Sequence, residues 1–186
     1  MNGIGFIKRL LGNHAPQAVH PVTSSQAALG TKILVVDDSP TIRAVLGKML
    51  GLDGYTVQKA VDGESAIELA KTEQPELIFL DIVLPGINGF AVLRALRHDP
   101  TTRHIPIVMI SGNQQATEQF YVQRFGADDF IKKPFGQRDV QQSIQGLVQA
   151  GRLPPRLPAA TPATALADAA VHPYKGVSDA LSGVAA

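Results

Sequence analysis

Residues 33–43 read ILVVDDSPTIR. An unbroken apolar run stops at two adjacent carboxylates, Asp37 and Asp38, which repel each other and cannot follow the run into a core without a partner. Ser39 then offers an N-cap and Pro40 a first helical residue. Beyond them Ile42, Val45, Leu46, Met49 and Leu50 recur at helical spacing. The stretch reads as strand, acidic turn, helix. Taken alone, the acid pair has two readings: a capping cluster set against the helix dipole, or a seat for positive charge.

The same cadence continues for about 120 residues. After Lys32–Val36 and its helix, Gly51 and Gly54 punctuate, and Tyr55–Lys59 reads as strand. Gly63–Thr72 reads as helix, closed by Pro75; Glu76–Leu80 is strand, Asn88–His98 helix and Ile105–Ile110 strand. Gln114–Phe125 follows as a helix ended by Gly126, then Asp128–Ile131 as strand. Val140, Ile144, Leu147 and Val148 line one face of a last helix. Strands that are continuous apolar runs are buried on both faces, as in a parallel sheet covered by helices on each side. With right-handed crossovers, the expected fold is α/β: a doubly wound, five-stranded parallel sheet.

Composition bounds the rest. The chain has 186 residues, 17 basic and 16 acidic, with a formal charge of +1, so no basic excess points to nucleic acid. There is no cysteine, which excludes disulfides and thiolate chemistry. No apolar stretch approaches the roughly 18 residues of a membrane span, and the first residues lack the order of a signal peptide. A cytoplasmic location is expected. Texture divides the chain into an extension (1–30), the dense αβ unit (31–150) and a Pro/Ala-rich tail (151–186) that holds five of the 13 prolines. The tail carries too little bulky apolar surface to offset its ordering entropy and is expected to be disordered. Within the extension, IGFIKRLL (4–11) sets Ile4, Ile7, Leu10 and Leu11 at helical spacing beside Lys8 and Arg9. It is either a flexible segment or a short amphipathic anchor for a partner or an anionic membrane surface.

In open α/β sheets ligands bind outside the carboxyl ends of the strands. Asp37 and Asp38 follow the first strand, Asp81 ends the third, Ser111 follows the fourth and Lys133 the fifth. In the strand order 2-1-3-4-5, which is taken from one of the two common doubly wound sheets rather than derived from these residues, strands one and three are neighbours. Asp37, Asp38 and Asp81 then converge. Three carboxylates together either rise in pKa or hold a cation, and a few hard oxygen ligands suit Mg²⁺. The five histidines share no ligand spacing, which argues against zinc or copper. A carboxylate beside Mg²⁺ can attack a phosphoryl donor, with an ammonium (Lys133) and a hydroxyl (Ser111) sharing the developing charge. Gly112 beside Ser111 would leave room for the group.

The motifs VVDDS (35–39), FLDIVLPGINGF (79–90), MISG (109–112) and GADDFIKKPF (126–135), in this order, make residues 31–150 resemble the receiver domain of bacterial two-component response regulators, the CheY-like, flavodoxin-like fold. The resemblance implies that Asp81 accepts phosphate from a histidine kinase. It implies that Asp38 and Asp81 bind Mg²⁺, with Asp37 acting through water and the Val83 backbone carbonyl as a further ligand. Ser111 would be the switch hydroxyl, Phe130 the switch aromatic, and Lys133, held by a cis bond to Pro134, the phosphate-binding lysine. Val83 and Asn113 would flank the phosphoryl group. The chain would act on its own phosphorylation and dephosphorylation only, not as an enzyme on outside substrates. Phosphorylation would reshape the surface of the fourth helix, fifth strand and fifth helix for an effector protein, with no direct DNA binding. VVDDSPTIR and DIVLPGINGF look most like regulators of chemotaxis-like or type IV pilus (twitching) motility systems. The alternatives are a phosphate sink or relay and a non-switching docking module.

Overall fold

The computed structural model describes residues 25–112 and 124–157. Five strands form one sheet: β1 (Lys32–Val36), β2 (Thr56–Ala60), β3 (Leu77–Asp81), β4 (Ile107–Ser111) and β5 (Asp129–Lys132). Their order is β2-β1-β3-β4-β5 and every pair is parallel, as expected. The described helices are α1 (Pro40–Leu52), α2 (Gly63–Glu73), α3 (Gly89–His98) and α4 (Gln137–Gln149). The helix expected over 114–125 falls almost wholly on residues outside those described.

Side-chain alternation along the strands splits the interior into two cores. Leu34, Val36, Ile78, Leu80 and Met109 face α2 and α3, where Ala66, Ala70, Val92, Leu93 and Leu96 meet them. Ile33, Val35, Leu77, Phe79 and Val108 face the other way, onto Leu46 and Leu50 of α1 and Val140, Ile144 and Leu147 of α4. β1, β3 and β4 are therefore buried on both sides apart from Lys32, whereas the edge strand β2 buries only Ala60. Caps set the helix entries: the Ser39, Asp62 and Asn88 side chains accept from Ile42 N, Ser65 N and Ala91 N.

Four strands start and end one residue or so later than the apolar runs suggest, because parallel pairing continues to the rungs Asp81↔Ile110 and Ser111↔Lys132. Helix α1 likewise runs through Gly51 to Leu52 and stops only where Gly54 turns left-handed at φ 88°.

Segments on both sides of the 31–150 span pack onto it. Ala27 and Leu153 are buried in the α1/α4 core, and Ala27 bridges Pro155 in antiparallel fashion. Arg156 donates to the carbonyls of Ala27 (3.2 Å) and Asp53 (2.5 Å) and to Gln26 Oε1 (2.9 Å), and its guanidinium lies 5.8 Å from the centre of the Tyr55 ring. Arg152 reaches Asp128 at 2.9 Å, which also pairs with Arg97 at 2.8 Å. No helix among the described residues is long and apolar enough to cross a membrane.

Candidate functional site

Three neighbouring strands deliver the site. Asp37 directly follows β1, Asp81 is the last residue of β3, and Ser111 is the last of β4. Lys133 follows β5, its N–H donating to the Ser111 carbonyl at 2.7 Å. The Lys133–Pro134 peptide is cis.

The Lys133 ammonium lies between two buried acids, 2.8 Å from Asp37 Oδ2 and 2.6 Å from Asp81 Oδ2. Asp37 is 1% exposed and Asp81 3%. Each acid spends its other oxygen on the chain: Asp37 Oδ1 accepts from Ser39 N at 2.9 Å, and Asp81 Oδ1 from Val83 N at 3.2 Å. Asp38 is exposed, yet one carboxylate oxygen from each of Asp37, Asp38 and Asp81 lies within 4.8 Å of the others. Three carboxylates thus face one ammonium, an excess of negative charge that a divalent cation would balance. The donors are all oxygen, which fits Mg²⁺.

Burial raises the Asp81 carboxyl above the ordinary aspartate value; Lys133 opposes the rise and the Asp37 charge adds to it. Burial works against the Lys133 ammonium, but its hydrogen bonds to Asp37 and Asp81 outweigh this and hold it above the usual lysine value.

Ser111 is fully buried and Phe130 half-buried against the α2/α3 core. The Val83 side chain is 67% exposed beside Asp81. A side chain on Gly112 would meet Lys133 only at ordinary contact distance, 3.9 Å. Asn113 lies outside the described residues.

Two residues in the quoted motifs carry weight that reading the sequence missed. Arg43 Nη1 donates to the carbonyls of Asp37 (2.6 Å) and Asp38 (2.8 Å), holding the acidic turn from the first turns of α1. Gly89 lies so close to β3 that an added Cβ would fall 2.2 Å from the Asp81 carbonyl oxygen. The signal for both was present, an arginine just after the acid pair and a glycine opening a helix, but its meaning depends on which backbone lies opposite.

A family model of the response regulator receiver domain matches residues 33–145. Protein PilH of Pseudomonas aeruginosa is 37% identical over 117 residues, 63% of this chain and 97% of PilH. The chain spans about half or less of the length of several other curated relatives it matches. Among solved structures, the chemotaxis response regulator CheY4 of Vibrio cholerae superposes with a TM-score of 0.59 at 29% identity, over 62% of this chain and 96% of that one. The receiver domain of the sensor histidine kinase PA1611 of P. aeruginosa, which carries a magnesium ion coordinated in its active-site cleft, gives 0.58 at 29% identity, over 62% and 95%. With the matched span running through all five strands from the second residue of β1, and through the acidic cleft between them, the chain belongs to the response regulator receiver domain family.

Proposed function

We propose that this receiver domain takes a phosphoryl group on Asp81 from the phosphohistidine of a histidine kinase and, so modified, changes which protein it binds. The observation that carries the proposal is the Lys133 ammonium held jointly by Asp37 and Asp81 in a buried acidic cleft. An Asp81 oxygen attacks phosphorus, the phosphorus–nitrogen bond of the donor breaks, and an acyl phosphate forms. Lys133, already bonded to Asp81, moves its hydrogen bond to a phosphoryl oxygen. Asp37, Asp38, Asp81 and the Val83 carbonyl would hold Mg²⁺, which when bound offsets the charge of the transferring group. Ser111 then turns its hydroxyl to the phosphoryl oxygens, and Phe130 follows it inward.

Two surfaces suit the two partners. A shallow apolar pocket of about 360 Å³, lined by Ile42, Val45, Gly112, Lys133, Pro134 and Phe135, opens beside the site and would receive the phosphodonor. A groove of about 450 Å³ along β5 and α4, which includes Phe130, Lys132, Gln142 and Ser143, would present the switched surface to the effector. Similarity along nearly all of PilH supports a role in a chemotaxis-like or pilus motility system. The remaining chemistry is confined to the protein's own phosphorylation and dephosphorylation.

The test is the intact mass after incubation with Mg²⁺ and acetyl phosphate. A single phosphoryl adduct that requires Mg²⁺ and is lost in Asp81→Asn is expected. An adduct that persists in Asp81→Asn would overturn the assignment, as would failure of both acetyl phosphate and beryllofluoride to change a folded, Mg²⁺-loaded protein.

A further inference from the structure

At the foot of the sheet, on the rim opposite Asp81, the flanking segments build a surface outside the 33–145 span shared with the family. Ala28 donates its N–H to the Pro154 carbonyl at 3.0 Å, Arg156 N donates to the Gln26 carbonyl at 2.7 Å, and Gly30 N to the Gly54 carbonyl at 2.9 Å. The clasp is held from below by polar groups, but its outer face is apolar. Ala28, Leu29, Pro154, Pro155, Arg156 and Leu157 line an open groove of about 460 Å³. Leu29 is 67% exposed and Leu157 82%. Leu52, 73% exposed, precedes Asp53, whose carbonyl Arg156 holds. Leu29 also lies over Gly54, so close that a Cβ there would fall 2.6 Å from Leu29 Cδ2. Leu29 and Leu157 beside Pro154 and Pro155 form an apolar surface with no described residue above it.

We propose that the occupant is the chain's own segment IGFIKRLL, residues 4–11, docked on the groove through Ile4, Ile7, Leu10 and Leu11 with Lys8 and Arg9 toward water. Three observations select it. Among the residues outside those described it gathers the most bulky apolar side chains in so short a stretch, and Ile4, Ile7, Leu10 and Leu11 recur at the spacing of one helix face. It is too short to hold a helix in water without a surface to cover it. It is joined to the groove by residues 12–24 alone, a linker rich in small and polar residues with an r.m.s. span of about 20 Å. Such a tether keeps the segment at an effective concentration in the millimolar range, which favours it over a second copy at ordinary protein concentrations. The docked segment would cover the foot of the sheet and leave the phosphoacceptor rim free.

The absence of cysteine makes the test direct. A nitroxide on Lys8→Cys in the full chain should strip intensity from the amide signals of Ala28, Leu29 and Leu157 and spare those of Val61 and Val83 on the far rim. Ascorbate reduction should restore the lost signals, and adding Leu10→Asp should abolish the effect while the spectrum keeps its folded dispersion. Uniform or absent broadening would overturn the proposal. So would broadening of ¹⁵N-labelled chains by spin-labelled unlabelled ones, which would assign the groove to a second copy. Broadening absent in solution, with the segment instead binding phosphatidylglycerol vesicles, would assign the segment to a membrane surface and also overturn it.

Discussion

Lys133 and Asp81 stand 52 residues apart in the chain and 2.6 Å apart in the fold. The same ammonium holds Asp37 at 2.8 Å, so one cation offsets two carboxylates that are almost wholly buried. Removing it leaves both acids facing each other in a low-dielectric cleft. Lys133→Met, which keeps the aliphatic stem, should therefore destabilise the Mg²⁺-free protein by about 3 kcal/mol. Saturating Mg²⁺ should restore part of the loss. Urea unfolding with and without the metal measures both.

Asp81→Asn should act in the opposite direction. It removes one of the three gathered carboxylates, and its single amide oxygen can take the place of the oxygen that accepts from Lys133 or of the one that accepts from Val83, not of both. Relief of the buried charge and of its repulsion with Asp37, less the one acceptor lost, should raise the stability of the metal-free protein by about 1 kcal/mol. The same variant should bind Mg²⁺ more weakly, as calorimetric titration would show.

Two glycines separate packing from propensity. A Cβ at Gly89 would fall 2.2 Å from the Asp81 carbonyl oxygen and 2.8 Å from Ile82 Cα, so Gly89→Ala must displace the backbone that carries the acid. It should cost about 3 kcal/mol and shift the Asp81 and Val83 amide signals. Gly146, exposed in α4, has nothing within 4 Å of an added Cβ. Gly146→Ala should stabilise by about 0.5–1 kcal/mol.

Stability should turn down at alkaline pH. Burial raises the Tyr55 phenol above its ordinary value, against the pull of Arg156, and the Lys133 ammonium is held above its own by Asp37 and Asp81 despite burial. For both groups the folded state keeps its proton to higher pH than the unfolded chain. Their contribution is complete below the unfolded values, about 10 for both groups, and is lost as pH rises through the folded ones. Unfolding free energy measured above pH 9 should fall with pH, and Tyr55→Phe should remove part of that slope.

Arg156 ties residues 26–27 and Asp53 to the C-terminal strap through three side-chain hydrogen bonds. Arg156→Ala should lower stability by about 2 kcal/mol and speed amide exchange at Ala28 and Gly30, whose N–H groups the clasp occupies. The site residues should keep their Mg²⁺ affinity, since they lie on the opposite rim.

The sheet was legible in residues 31–150 because burial leaves a local trace. IVMIS and LIFLD must be apolar on successive residues to satisfy two cores at once. Asp37, Asp81 and Lys133 were legible as candidates because a parallel sheet sends every strand end to one rim. Adjacent residues were not equally readable. Asp37 and Asp38 look alike in sequence, but one is buried against Lys133 and the other, at the bend after β1, is exposed, because the lysine that covers Asp37 comes from the end of β5. The last rungs Asp81↔Ile110 and Ser111↔Lys132 depend on the partner strand, so strand ends could not be read from either strand alone. Arg43 and Arg156 act on carbonyl oxygens, which every residue carries and no residue type reveals. Arg156 meets Asp53 across 103 residues, and Ala27 and Leu153 join the core from segments that look like extensions. Composition and periodicity report whether a residue is to be buried; which distant backbone buries it is decided only when the sheet closes and the two ends of the domain meet.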